Sequence, residues 1–224
     1  METNSNGVTT HQKIIDTALS LFKGKGYDQT TLNDICDAAG VSVNTFYYYF
    51  NAKDALLEEI FRISGELSSD EISKLLSSKS SWMQIWLLTR RPLERSLLLG
   101  SDLMLKIFQS YLNDSSGFAG FHFQEDHLIL SLIQNGQASG EIQNRAEAGK
   151  LLYSMQRAQI GVLIHWCISG GKNDLVSHDL EVMESILSVA PKYKITPKKA
   201  MDMLSNGLKS TATVTPTPES ALGK

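Results

Sequence analysis

Thr31-Leu32-Asn33-Asp34-Ile35-Cys36-Asp37-Ala38-Ala39-Gly40-Val41-Ser42-Val43-Asn44-Thr45-Phe46-Tyr47-Tyr48-Tyr49-Phe50 is the stretch on which the fold turns. Thr31, followed three residues later by Asp34, has the spacing of a capping box: the hydroxyl accepts from an early backbone N–H, and the acidic group sits in the positive first turn. Leu32, Ile35, Cys36 and Ala39 then recur at helical spacing. Gly40 suits the left-handed residue of a tight helix–helix turn, and Ser42 caps a second short helix running through Phe50. Two short helices on a glycine turn make a helix-turn-helix unit.

Working outward, Ile14, Ile15, Ala18, Leu19 and Phe22 mark an amphipathic helix from about Thr10 to Lys23, stopped by Gly24 and Gly26. Beyond Phe50, the pattern breaks at residues 51–54 and resumes with Leu56, Leu57, Ile60, Phe61 and Leu67. A helix from Lys53 to Ser77 would be about 37 Å long at 1.5 Å per residue. Further helices are predicted over Ser81–Thr89, Pro92–Leu112, Phe118–Ala138, Ala146–Ser169, Val176–Ala190 and Pro197–Leu208. No alternating run of β-branched residues has useful length, so the predicted class is all-α. The predicted parts are a helix-turn-helix domain over 1–55, a helical-bundle domain over 56–208 and a disordered tail over 209–224. That tail is rich in Ser, Thr, Pro and Ala, which bury too little apolar surface to offset ordering entropy.

The chain of 224 residues is 42% hydrophobic and 20% charged, enough for a real core. It has no apolar run of the roughly 18 residues a membrane span needs, and its first ten residues are polar, so a cytoplasmic protein is expected. Cys36 and Cys167 sit far apart in apolar helical patterns and read as packed thiols. The five histidines fall at no metal-motif spacing, and neither a nucleophile elbow nor a phosphate-cradling loop occurs. Neither a metal, a cofactor nor catalysis is expected.

On the second helix of the motif, Val43, Phe46 and Phe50 fall within about 60° of one another, at 100° per residue, as an apolar stripe for the core. Asn44, Thr45 and Tyr48 point the other way. Five consecutive aromatics cannot all face one core from a helix. Asn pairs with adenine N6 and N7, Thr offers a methyl or a hydroxyl, and Tyr hydroxyls hold phosphates, so this face suits a DNA groove. Tyr47 lies at the edge between stripe and outward face, and Tyr49 at the opposite edge.

Residues Gly26-Tyr27, Thr30-Thr31, Ile35, Ala38 to Ser42, Thr45 to Phe50, Lys53 and Leu56-Leu57 together resemble the N-terminal signature of the TetR family. The resemblance covers about 50 residues. It implies a homodimer whose two heads occupy successive major grooves of a pseudo-palindromic double-stranded operator, with residues 56–208 as a ligand-binding and dimerisation domain. Carried over by position, Thr30 and Thr31 would touch phosphate, and Ser42, Thr45, Tyr47 and Tyr48 the backbone. Asn44 would contact a base, Tyr49 stands where His is frequent, and Lys53 would meet phosphate. One departure is Val43, where many members carry Lys or Arg.

For the second domain, Trp82, Trp86, Met104, Phe108, Tyr111, Phe121 and Tyr153 are the candidates to line a pocket for a small-molecule inducer. The helix over Ala146–Ser169 is apolar on two sides and is therefore expected to be buried on two sides. Met155, Ala158 and Val162, with Met183, Ile186 and Leu187 of the next helix, are the candidate dimer contacts. The function these features imply is a repressor released from its operator by an apolar or aromatic ligand. The alternatives are a helical small-molecule binding protein, or an activator or ligand-independent regulator with the same head.

Net charge is -3 for the whole chain. The head over Met1–Arg62 carries Lys13, Lys23, Lys25, Lys53 and Arg62 against eight acidic residues, which is also net -3. Counterion release should therefore be modest. Operator affinity measured against salt is expected to give a log–log slope shallower than about -8 for a dimer, at about 0.9 per neutralised phosphate. A steeper slope contradicts this reading.

Overall fold

A computed structural model describes residues 9–63, 69–113 and 126–211, all helical apart from turns and one isolated bridge. They divide into two compact units, the second spanning Ser64–Leu208, and each is described by itself.

The first unit holds α1 (Thr10–Lys25), α2 (Leu32–Ala39), α3 (Val43–Tyr49) and α4 (Lys53–Ile63). Each of the first three starts on a hydroxyl cap: Thr9 accepts from Gln12 N, Thr31 from Asp34 N and Ser42 from Thr45 N. Such caps are worth about 1 kcal/mol each. The predicted turn residue Gly40 is left-handed at φ 64°, and its N–H returns to the carbonyls of Cys36 and Asp37. Ile14, Ile15, Ala18, Phe22, Ile35, Ala39, Phe46, Phe50, Leu56, Leu57 and Ile60 form the core.

The apolar stripe of α3 is shorter than predicted. Phe46 and Phe50 are buried, but Val43 is 38% exposed. α3 docks at its C-terminal end, where the His11 ring of α1 stacks on Phe50 at 4.9 Å. Val43 in the first turn stands outside that contact.

The second unit holds α5 (Ser69–Ser77), α6 (Ser81–Thr89), α7 (Arg91–Leu99), α8 (Ser101–Asn113), α9 (Asp126–Ser139), α10 (Ala148–Ile168) and α11 (Leu175–Leu187). A 3-10 turn (Pro191–Tyr193) and α12 (Pro197–Thr211), which belongs to this unit through Leu208, follow. Three predicted helices differ. The helix expected over Lys53–Ser77 is described as α4 and α5, with residues 64–68 outside the described residues. The helix expected over Pro92–Leu112 is two, because Gly100 at φ 83° ends α7. α9 begins at Asp126, and residues 114–125 lie outside the described residues, as do 212–224 of the predicted tail; residues 209–211 continue α12.

α10 is the central helix, packed against α8, α9 and α11, while α6 lies on α9. The approach of α6 to α9 is close: a Cβ on Gly136 would fall 2.7 Å from Ile142 Cδ1 and 3.3 Å from Ser81 Cβ. Two buried carboxylates tie the loops to this core. Glu141 accepts from Trp82 N at 2.9 Å, and Glu184 accepts from Ile195 N at 2.9 Å and from the Trp82 indole at 3.3 Å. Cys36 and Cys167 are buried free thiols, as their apolar settings predict. Burial pushes the Cys167 thiol up to about 11.

Where α6, α10 and α11 meet lies a third buried carboxylate. Asp179 Oδ1 accepts from Gln159 Nε2 at 3.1 Å, and the same nitrogen donates to Thr89 O at 3.0 Å. Burial pushes the Asp179 carboxyl up to about 7, against the opposing pull of the Gln159 bond. The folded chain therefore keeps a proton that the unfolded chain, with an ordinary carboxyl near about 3.9, has already lost. The stability this contributes is present below about pH 4 and is lost as pH rises through about 7. Asp179→Asn retains an acceptor for Gln159, and its stability relative to the wild type is expected to improve from about pH 5 to about pH 8. Urea denaturation at both values measures it; an unchanged difference contradicts the assignment.

Candidate nucleic-acid interface

The loop from Gly26 to Thr31 aims the helix-turn-helix. Lys53, at the start of α4, donates from Nζ to the carbonyls of Tyr27 and Thr30, each at 2.9 Å, and lies 4.0 Å from the centre of the Tyr27 ring. Tyr27 packs edge-on against Phe22 of α1 at 4.9 Å, and its hydroxyl donates to Asp54. Burial, aided by that carboxylate, holds the Tyr27 phenol far above its ordinary range, so it stays protonated.

At the end of this loop the capping box is complete. Thr31 Oγ1 accepts from Asp34 N at 3.1 Å, and Asp34 Oδ2 accepts from Thr31 N at 2.7 Å. The same carboxylate oxygen takes Lys25 Nζ at 2.7 Å and the Thr31 hydroxyl at 2.8 Å. The Lys25 ammonium, then the Thr31 N–H and hydroxyl, hold Asp34 well below the usual carboxylate range. The start of α2 is thus a fixed element that keeps its charge through the physiological range.

α3 presents the candidate recognition face. Tyr48 is 81% exposed and Tyr47 is 54% exposed, and Asn44 is also exposed. Thr45 is half-buried, with its hydroxyl 2.8 Å from Ser42 Oγ. Tyr49 is half-buried, its ring edge-on to Tyr48 at 4.9 Å and 5.7 Å from His11. Asn44, Thr45, Tyr47 and Tyr48 are brought to one surface with Ser42.

Two of the expected phosphate contacts sit elsewhere. Thr30 is 1% exposed and donates its hydroxyl to Gly26 O at 2.7 Å, so it closes the loop and faces away from solvent. Lys53 spends two of its three N–H groups on loop carbonyls, which makes it first a positioning residue for α2. Val43, assigned by periodicity to the core, joins the outward face. The Tyr27–Asp54 bond and the His11–Phe50 stack were missed. A 27-residue separation hides the first, although the Tyr before two threonines was its one local sign.

In the second unit, Trp82, Trp86, Met104, Phe108 and Tyr111 are all buried, while Tyr153 is 55% exposed under the Arg157 guanidinium. Trp82 is a core residue whose indole N–H is taken by Glu184. Phe121 lies outside the described residues. Of the expected dimer contacts, Met155, Met183 and Leu187 are buried within their own unit, and Ala158, Val162 and Ile186 are half-buried. Periodicity marked two apolar rows on α10 but could not say which one α8, α9 and α11 cover. The exposed side carries Tyr153, Gly161, Ile164 and Ile168 instead.

A capped α2, a left-handed glycine and an α3 with a polar outer face define a helix-turn-helix DNA-binding protein. Residues 14–60 match the family of bacterial regulatory proteins named for tetR. The chain thus carries the N-terminal DNA-binding domain of the tetR family of bacterial regulatory proteins. Over 214 residues it is 22% identical to the "Probable acrEF/envCD operon repressor" of Escherichia coli K12, covering 87% of this chain and 93% of that one. Two solved structures share the fold. TylP, a tetR regulator from Streptomyces fradiae, aligns with a TM-score of 0.56 at 16% identity over 89% of this chain and 97% of its own. FadR of Thermus thermophilus, solved with lauroyl-CoA, aligns with a TM-score of 0.55 at 18% identity over 95% of this chain and 100% of its own.

Lys53→Met removes two charge-assisted bonds to the loop carbonyls and is expected to destabilise the head by about 2 kcal/mol. Exposed Lys23→Met should change stability by less than about 0.5 kcal/mol. Chemical denaturation of both variants tests the positioning role; equal effects would refute it.

Proposed function

We propose that this regulator is a repressor that binds a pseudo-palindromic operator as a homodimer and is released by a small, largely apolar ligand held in residues 64–208. The observation that carries the DNA half is the exposed edge of α3. Asn44 supplies the amide that pairs with adenine, Val43 and Thr45 the methyls that meet thymine, and Tyr47 and Tyr48 the hydroxyls that reach phosphate. The name of the Escherichia coli relative supports repression, and the lauroyl-CoA bound to the Thermus FadR supports an apolar ligand. Dimerisation is read from α10, whose exposed Tyr153, Gly161, Ile164 and Ile168 recur on one side with a glycine for close approach. Two such faces meeting on a two-fold axis would set half-sites about 34 to 36 Å apart, or a multiple of that.

Gel shift against genomic fragments tests the head. Asn44→Ala and Tyr48→Ala are each expected to weaken operator binding at least about tenfold, a loss of about 1.4 kcal/mol, with unchanged thermal stability. Binding retained in both variants removes the recognition-helix assignment. In sedimentation the wild type is expected as a dimer and Ile164→Arg as a monomer that has lost the operator; a dimeric Ile164→Arg would move the interface elsewhere.

A further inference from the structure

The Asp179 cluster has more hydrogen-bonding capacity than its neighbours use. Asp179 Oδ2, Thr89 Oγ1 and, one turn back on α6, Trp86 Nε1 are all buried with no hydrogen-bond partner among the described residues. Gln159 cannot serve them, because its donor nitrogen is already shared between Thr89 O and Asp179 Oδ1. Arg90, next to Thr89 in sequence, is committed elsewhere: its guanidinium donates to Leu87 O and pairs with Glu94 at 2.9 Å. Among the described residues the Gln159 amide is the group that offsets the burial of Asp179. The residues one turn away on the same helices, Met155 and Leu163 about Gln159 and Met183 beyond Asp179, are fully buried and apolar.

A carboxylate and a hydroxyl without partners, set among apolar side chains contributed by three helices, make a recognition group for a cation with an apolar body. A buried carboxylate favours a positive partner and repels an anion. A neutral alcohol has one proton to give, whereas a primary ammonium can donate to both oxygens at once. We propose that the Thr89–Gln159–Asp179 cluster binds the nitrogen of a small lipophilic amine, with Asp179 as countercharge and Thr89 Oγ1 as second acceptor. This rests on the ligand-released reading only for its effect on DNA, since binding itself is measured on the free protein.

The test titrates the full chain with octylamine, 1-octanol and octanoate, following heat of binding and melting temperature. Octylamine is expected to bind at least about tenfold more tightly than octanol, with octanoate weakest. Asp179→Asn should reduce the amine's advantage over the alcohol to within about threefold, while the melting transition stays cooperative. Thr89→Val should weaken octylamine less than Asp179→Asn does. Equal affinity for amine and alcohol in the wild type overturns the proposal. So does an advantage that survives Asp179→Asn, or no binding of octylamine, which would leave the cluster to buried water. Octylamine that binds as expected but does not release the operator would sink the ligand-released reading and leave the site standing.

Discussion

The aim of the recognition helix depends on one ammonium group. Lys53 is held at the start of α4, and its two bonds fix the carbonyls of Tyr27 and Thr30 just before α2 begins. Without it, the loop between α1 and α2 would leave two carbonyls and a half-buried ring to settle for themselves. With it, Thr31 is delivered to the capping position, Asp34 closes the box, and Gly40 passes a defined direction on to α3. A charge used in this way has little freedom to roam, which explains how a net-acidic head can still carry an ordered DNA-facing surface.

The C-terminal unit has a different logic. Its order comes from buried carboxylates that fasten loops and helices to one another: Glu141 and Glu184 on Trp82, and Asp179 on Gln159. The first two have backbone or indole donors on their oxygens and act as clasps. The third is left with an oxygen unanswered among the described residues, where α6, α10 and α11 meet.

Much of the head was legible because its signals are local. Thr31 and Asp34 are three residues apart, Gly40 must be left-handed, and Ser42 begins a helix whose aromatics outnumber what one core can hold. The errors come where a residue's fate is set by distant groups. Thr30 turns inward to Gly26, and Val43 is left in the open because α3 docks at its other end. Periodicity on α10 gave two apolar rows without saying which one its own unit covers, so half of the expected dimer contacts proved to be core. Gly100 ends α7, although the apolar pattern runs straight across it.

The outer side of α3 has one further property. Among the described residues, Asn44 and the hydroxyls of Tyr47 and Tyr48 make no hydrogen bond within the chain, whereas the caps, the loop and the core of the head are bonded to one another. These three side chains stand apart from the bonds that hold the head, unlike Ser42 and Thr45 on the same surface, which cap and close the start of α3. If this face reads DNA as proposed, mutation at these three positions can rewrite the sequence it reads while the scaffold stays intact, so operator preference can drift between descendants without an intermediate that fails to fold.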